Sequence, residues 1–110
     1  MNIIIQTINF RESTELKDFI YDKLDKLTIL DPEIIRMEIT LKEGAKNNPS
    51  NKWCSLYISH PGENQFVKKR AGTYEESIIL ASETMEKILR RNKSKKIRDR
   101  KSSLKILKQM

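Results

Sequence analysis

Few side chains in this sequence could make or break bonds. His60 is the single histidine, and it precedes Pro61 in a turn; a catalytic role would need a nucleophile or carboxylate partner in the right geometry, and a turn residue is the better reading. Cys54 is the single cysteine, which excludes an internal disulfide and a cysteine-cluster metal site. The strand alternation around it marks it as a small buried hydrophobe. Gly44, Gly62 and Gly72 fall in separate turns and form no phosphate-cradling loop. No metal-ligand spacing is present in the sequence. These residues point to no enzyme, cofactor, metal site or small-molecule substrate.

Side chains that could hold phosphates are gathered in one stretch. Residues 1–85 hold 11 Lys/Arg and 13 Asp/Glu, and residues 86–110 hold 11 Lys/Arg and 2 Asp/Glu. The formal net charge of +7 therefore comes entirely from the last quarter of the chain. Nine of the cations lie in KILRRNKSKKIRDRK, residues 87–101, with Asp99 the only acid among them. Lys87, Arg91 and Lys95 are spaced i, i+4, i+8, so on a helix they form one ridge. Like charges at that spacing repel, and a polyphosphate partner would relieve the repulsion by neutralisation and counterion release. Arg90, Lys93 and Lys96 add further cations along the same helix, and arginine adds planar two-pronged contact with phosphate. The plainer alternative is a solvated basic tail that serves solubility.

Three further groups are weaker candidates. Lys23 projects within the apolar arc of the first predicted helix and Lys26 lies just outside it. Stems covering apolar surface with snorkelling ammonium groups account for both. If the two helices pack side by side, these lysines join the Lys87–Lys95 ridge. Lys68, Lys69 and Arg70 are consecutive on a predicted strand, so they cannot all share one surface. Trp53 and Tyr57 share a strand face, where aromatics can stack on bases, though packing is the commoner role and no RNA-recognition strand motif accompanies them.

The elements that must position these residues follow from periodicity. NIIIQTINF (2–10) is β-branched throughout, with Ile4, Ile8 and Phe10 on one side and Ile3, Ile5 and Thr7 on the other, which predicts a strand inside a sheet. Ser13 offers a helix cap, and Leu16, Ile20, Leu24 and Leu27 form a stripe that ends before Pro32. Residues 34–43 alternate, with Ile35, Met37, Ile39 and Leu41 inward. KWCSLYISH (52–60) alternates again, and QFVKKRA (65–71) has the charge of an edge strand. Thr73 and Glu76 form a capping box that opens a helix with Tyr74, Ile78, Ala81, Met85, Ile88 and Leu89 on one stripe. No proline or glycine follows residue 72, and the helix is expected to end near residue 98.

The predicted fold is α+β, in the order β-α-β-β-β-α: a four-stranded sheet with both helices packed on one face. Hydrophobic residues at 37% suffice for one core, and charged residues stand at 34%. Residues 1–98 are expected to be a single domain, with 99–110 a flexible basic tail. Lack of an apolar run long enough for a membrane span, of a signal-peptide pattern and of cysteine pairs leads to an expectation of a cytoplasmic protein.

At this point three stretches together resemble the ribosome hibernation promoting factor family, also called ribosome-associated inhibitor or sigma-factor modulation proteins. LKDFIYDKLDKL (16–27) is similar to the family helix L-x-x-F/Y-I/V-x-x-K-x-x-K-L at Lys23, Lys26 and Leu27. FVKKRAGTYEESIILA (66–81) is similar to its last strand and aromatic-led helix start. KILRRNKSK (87–95) resembles its R-Q-L-x-K-x-K-x-K run at Lys87, Leu89, Arg91, Lys93 and Lys95. The resemblance covers residues 2–98 and implies a small-subunit ribosomal partner, with Lys23, Lys26, Lys87, Arg91, Lys93 and Lys95 on ribosomal RNA. It implies occupancy of the channel where messenger and A- and P-site transfer RNA lie, shutting down translation in starvation or stationary phase. Ile88 stands where the family has glutamine, Arg90-Arg91 is more basic than usual, and Thr84 replaces a lysine. The chain resembles a short form without the dimerising second domain, expected to be a monomer off the ribosome. Inactivation of single ribosomes and pairing of ribosomes with another factor both remain open. Two other functions compete: a general double-stranded-RNA binder, and a protein-interaction modulator of transcription.

Overall fold

The computed structural model describes residues 2–8 and 10–109, with side chains described up to Lys93. The elements are β1 (Asn2–Ile8), α1 (Thr14–Leu30), β2 (Arg36–Glu43), β3 (Lys52–Ser59), β4 (Gln65–Ala71) and α2 (Tyr74–Gln109). They form one four-stranded sheet in the order β1-β2-β3-β4. β1 runs parallel to β2 and is joined to it through α1, since a parallel pair needs a crossover. β2, β3 and β4 form an antiparallel meander.

One face of the sheet carries the core. Met37, Ile39 and Leu41 of β2 pair with Ile58, Leu56 and Cys54 of β3, and all six are buried. The α1 stripe, Leu16, Ile20, Leu24 and Leu27, joins the same core, as do Ile78, Ala81, Met85 and Leu89 of α2. Ser13 caps α1 by accepting a hydrogen bond from the Leu16 N–H at 3.1 Å, and Thr73 caps α2 by accepting one from Glu76 N–H at 3.2 Å. The expected fold class, element order and placement of both helices on one face hold.

Four details differ from the sequence reading. β1 is an edge strand, not an interior one. The meander occupies both sides of β3, so β1 adds at an outer edge, beside β2. Its Ile3 and Ile5 reach the core, while Ile4 and Ile8 are 37% and 42% exposed on the other face. Phe10 lies beyond the strand, so it escapes the alternation and stacks on Tyr74 with ring centroids 4.4 Å apart. At the start of β2 it is Ile34 that is buried and Ile35 that is 60% exposed. The tight turn that bonds Ile34 N–H to the Asp31 carbonyl rotates the chain before the period-two pattern begins. Finally, α2 continues to Gln109 and not to residue 98, consistent with a segment free of helix breakers.

Ser77 and Ser82 are also buried on α2, where sequence showed only polar positions. Their hydroxyls donate to the carbonyls of Tyr74 and Ile79 at 2.9 and 3.0 Å, so small side chains bring α2 close without leaving an unpaired group.

Candidate nucleic-acid interface

α1 and α2 pack side by side, which is the condition for the α1 lysines to approach the basic ridge. A cleft between the helices is lined by Lys23, Lys26 and Leu27 from α1 and by Ile79, Ser82, Glu83 and Glu86 from α2. Lys23 is half-buried, with its ammonium 5.4 Å from the centroid of the Phe19 ring. Its stem covers apolar surface while its charge is held by an aromatic face. Lys26 is exposed, and its ammonium lies 4.0 Å from Asp22, one turn earlier. Neither is locked into a buried ion pair, so both charges remain available to a partner.

The groups facing them across the cleft are acidic. Glu83 lies one turn before Lys87 on the same ridge of α2, and Glu86 one turn before Arg90. Arg90 reaches back to Glu86 with two hydrogen bonds, at 2.8 and 3.1 Å. Arg90 is thus partly neutralised, whereas Lys87, Arg91 and Lys93 are exposed with no ion pair among the described residues. At 1.5 Å per residue, Lys87 stands about 6 Å along the axis from Glu83. The α1 lysines therefore border the start of the ridge, separated from it by one acidic turn. That carboxylate pair was not anticipated; reading Glu83, Lys87 and Arg91 as one i, i+4 series would have exposed it. The side chains of Lys95 and Lys96 lie outside the described residues.

The strand candidates separate as their alternation requires. Lys68 and Arg70 share the sheet face opposite the helices with Trp53, while Lys69 pairs with Cys54 on the helix side. The Lys68 ammonium lies 4.7 Å and the Arg70 guanidinium carbon 5.4 Å from the Trp53 ring centroid. Gly44 makes room for that ring: a Cβ there would stand 2.9 Å from the indole nitrogen.

His60 is not an isolated turn residue. Its Nε2 lies 2.8 Å from Asp31 Oδ2 and its Nδ1 lies 2.9 Å from the Pro61 carbonyl. Both ring nitrogens lie within hydrogen-bond distance of an oxygen. Asp31 is the C-cap of α1, and the pair ties that helix end to the end of β3. Glu33 lies 3.9 Å from the same ring nitrogen. Asp31, Glu33 and His60 are a group with metal-ligand chemistry that the fold, and not any sequence spacing, brings within 4.8 Å. Burial pushes the Cys54 thiol up to about 12, which leaves it without the thiolate character of a reactive cysteine.

The family profile described as "Sigma 54 modulation protein / S30EA ribosomal protein" matches residues 3–97. The chain belongs to that family. It is a family of ribosome-associated proteins, and the matched span holds the whole sheet, α1 and α2 through Arg91 and Lys95. Among solved structures, this S30EA-family chain is similar to a ribosomal subunit interface protein from Coxiella burnetii. The TM-score is 0.75 at 18% identity, covering 86% of this chain and 99% of that one. It is also similar to the N-terminal domain of Thermus thermophilus Protein Y, with a TM-score of 0.71 at 17% identity, covering 83% of this chain and 98% of that domain. At such identities the likeness is one of fold. No curated protein matches this sequence.

Proposed function

We propose that this S30EA-family protein binds the small ribosomal subunit and occupies its decoding channel, where messenger and A- and P-site transfer RNA would lie. Occupancy is sufficient for inhibition, because a folded body in the channel excludes both RNAs without any chemical step. Starvation or stationary phase is the setting such an inhibitor would serve, as a hibernation factor acting in the cytoplasm. Residues 1–98 act as the binding domain, and the basic residues of α2 hold ribosomal RNA together with Lys23 and Lys26. The observation that carries this reading is the exposed cationic ridge opening at Lys87 and Arg91, near half-buried Lys23 and exposed Lys26 of α1, on a chain of a ribosome-associated family.

Ribosome co-sedimentation across a salt series tests it. The protein is expected to travel with small subunits at low salt and to be released as salt rises, with a log–log slope of roughly −0.7 to −0.9 per phosphate contact. Replacing Lys87, Arg91 and Lys95 together by Gln is expected to leave the fold intact and to flatten that slope. Retention at the top of the gradient with intact ribosomes at low salt would overturn the reading. Equal affinity for arbitrary duplex RNA would favour a general double-stranded-RNA binder, and binding indifferent to salt would favour a protein interface.

A further inference from the structure

Among the described residues no element covers the sheet face opposite the helices, and its composition is not that of a merely solvated surface. The strand register lays out three rows across it. Ile8, Lys42, Trp53 and Arg70 form the first, Gln6, Thr40, Ser55 and Lys68 the second, and Ile4, Glu38, Tyr57 and Phe66 the third. Phe66 is 60% exposed beside half-buried Tyr57. A polar row that can donate and accept hydrogen bonds thus separates two aromatic sites.

The charge of this face is asymmetric. Its only carboxylate within the strands, Glu38, is held by Arg36 at 3.3 Å. Lys68 and Arg70 lie over the Trp53 ring, Lys42 is its register partner on β2, and no carboxylate pairs with the three among the described residues. Edge-strand protection explains cations on β4. It does not explain why two of them converge on the indole, nor why a third stands across from it on β2, an interior strand. Three unpaired cations around one aromatic, with a second aromatic pair four residues along β3, make a surface on which phosphates and base planes are both accommodated. Four residues of strand span about 13 Å, so the two aromatic sites are reached by one short, unstacked segment of nucleic acid and not by a single base.

We propose that this open face binds unpaired RNA, with one base against the Trp53, Lys68 and Arg70 group, another against Tyr57 and Phe66, and the intervening backbone over Thr40 and Ser55. Sequence-tolerant stacking combined with cationic tracking of the backbone is the mode by which single strands are held. A protein partner fits less well, because the apolar side chains are split by the polar row and by Glu38. The proposal is independent of the decoding-channel reading, since it uses the side of the molecule away from α1 and α2.

Trp53 is the only tryptophan, so its fluorescence reports on this face alone. The full chain would be titrated with an oligouridylate octamer, with a duplex of equal length and with inorganic polyphosphate. Saturable quenching by the single strand, but not by the duplex or polyphosphate, is expected. Lys68→Gln with Arg70→Gln, and separately Phe66→Ala, are expected to weaken the single-strand affinity tenfold or more, as loss of one stacking or cationic site implies. All three positions are exposed, and unchanged circular dichroism would show that the fold is kept. Trp53 emission that stays constant while a labelled octamer binds, or equal quenching by polyphosphate or duplex, would overturn the proposal. So would affinity unchanged in both variants. Ribosome sedimentation of the same variants reports separately on the helix surface.

Discussion

Three residues show how one side chain is judged by its surroundings. The Tyr74 hydroxyl is buried with no hydrogen-bond partner among the described residues, while its ring stacks on Phe10 and lies under the Lys52 ammonium. Removing an unsatisfied buried hydroxyl relieves a desolvation cost without losing a bond. Tyr74→Phe is therefore expected to leave thermal stability unchanged or raise it, by up to about 1 kcal/mol, in a melting experiment. His60→Ala does the opposite. It strands the Asp31 carboxylate at the end of α1 in a partly buried position and is expected to cost about 1–3 kcal/mol in denaturant titration. Cys54 sets a pH dependence. Its folded value is raised from 9.0 to about 12 by burial, so in that window the unfolded thiol is ionised and the folded one still holds its proton. Stability from this group is complete below about pH 9 and falls as pH rises toward 12. Burial also raises Tyr74, with Glu43 adding to it, and acts in the same direction. Native Cys54 is expected to resist alkylation at neutral pH and to react at full rate once the chain is unfolded, as mass spectrometry would read.

Among the elements, α2 does two jobs in succession. Its first part is amphipathic and ends its core contribution at Leu89, and its cationic part begins at Lys87. Glu83 and Glu86 mark the junction. They line the cleft opposite Lys23 and Lys26 and place negative charge at the entrance to the ridge. Their net effect on RNA binding is therefore unfavourable. Glu86→Gln releases Arg90 from its bidentate pair and is expected to strengthen RNA affinity several-fold at low salt, with little change in stability because an exposed i, i+4 pair contributes only a few tenths of a kcal/mol. A fluorescence-anisotropy titration of wild type and variant against the same RNA would check it, and a weaker complex would show that Glu86 positions Arg90 for its contact.

At the scale of the whole molecule, what could be read from sequence was what depends on near neighbours. Alternation around Met37 and Cys54, the stripe from Leu16 to Leu27, and the caps at Ser13 and Thr73 are local, and each appears in the structure. What sequence concealed depends on register or on chain return. The Asp31–His60 pair joins residues 29 positions apart, the grouping of Trp53 with Lys68 and Arg70 needs the β3–β4 register, and β1 looks alike at an edge or in the interior because both its faces carry isoleucine. The charge asymmetry, by contrast, is visible in the sequence and carries a prediction of its own. The last core side chain among the described residues is Leu89. Residues 99–110 contain Arg100, Lys101, Lys105 and Lys108 against Asp99, a net of +3. We propose that this segment adds RNA affinity without adding stability. Deleting residues 99–110 is expected to leave the melting temperature within about 2 °C, since the core of the described residues is complete without them. The salt slope of RNA binding is expected to fall by roughly 0.7–0.9 for each phosphate that the shortened chain no longer neutralises. A deletion that lowered the melting temperature while leaving the slope unchanged would assign these residues to folding, and the basic partner surface would then end within residues 87–98.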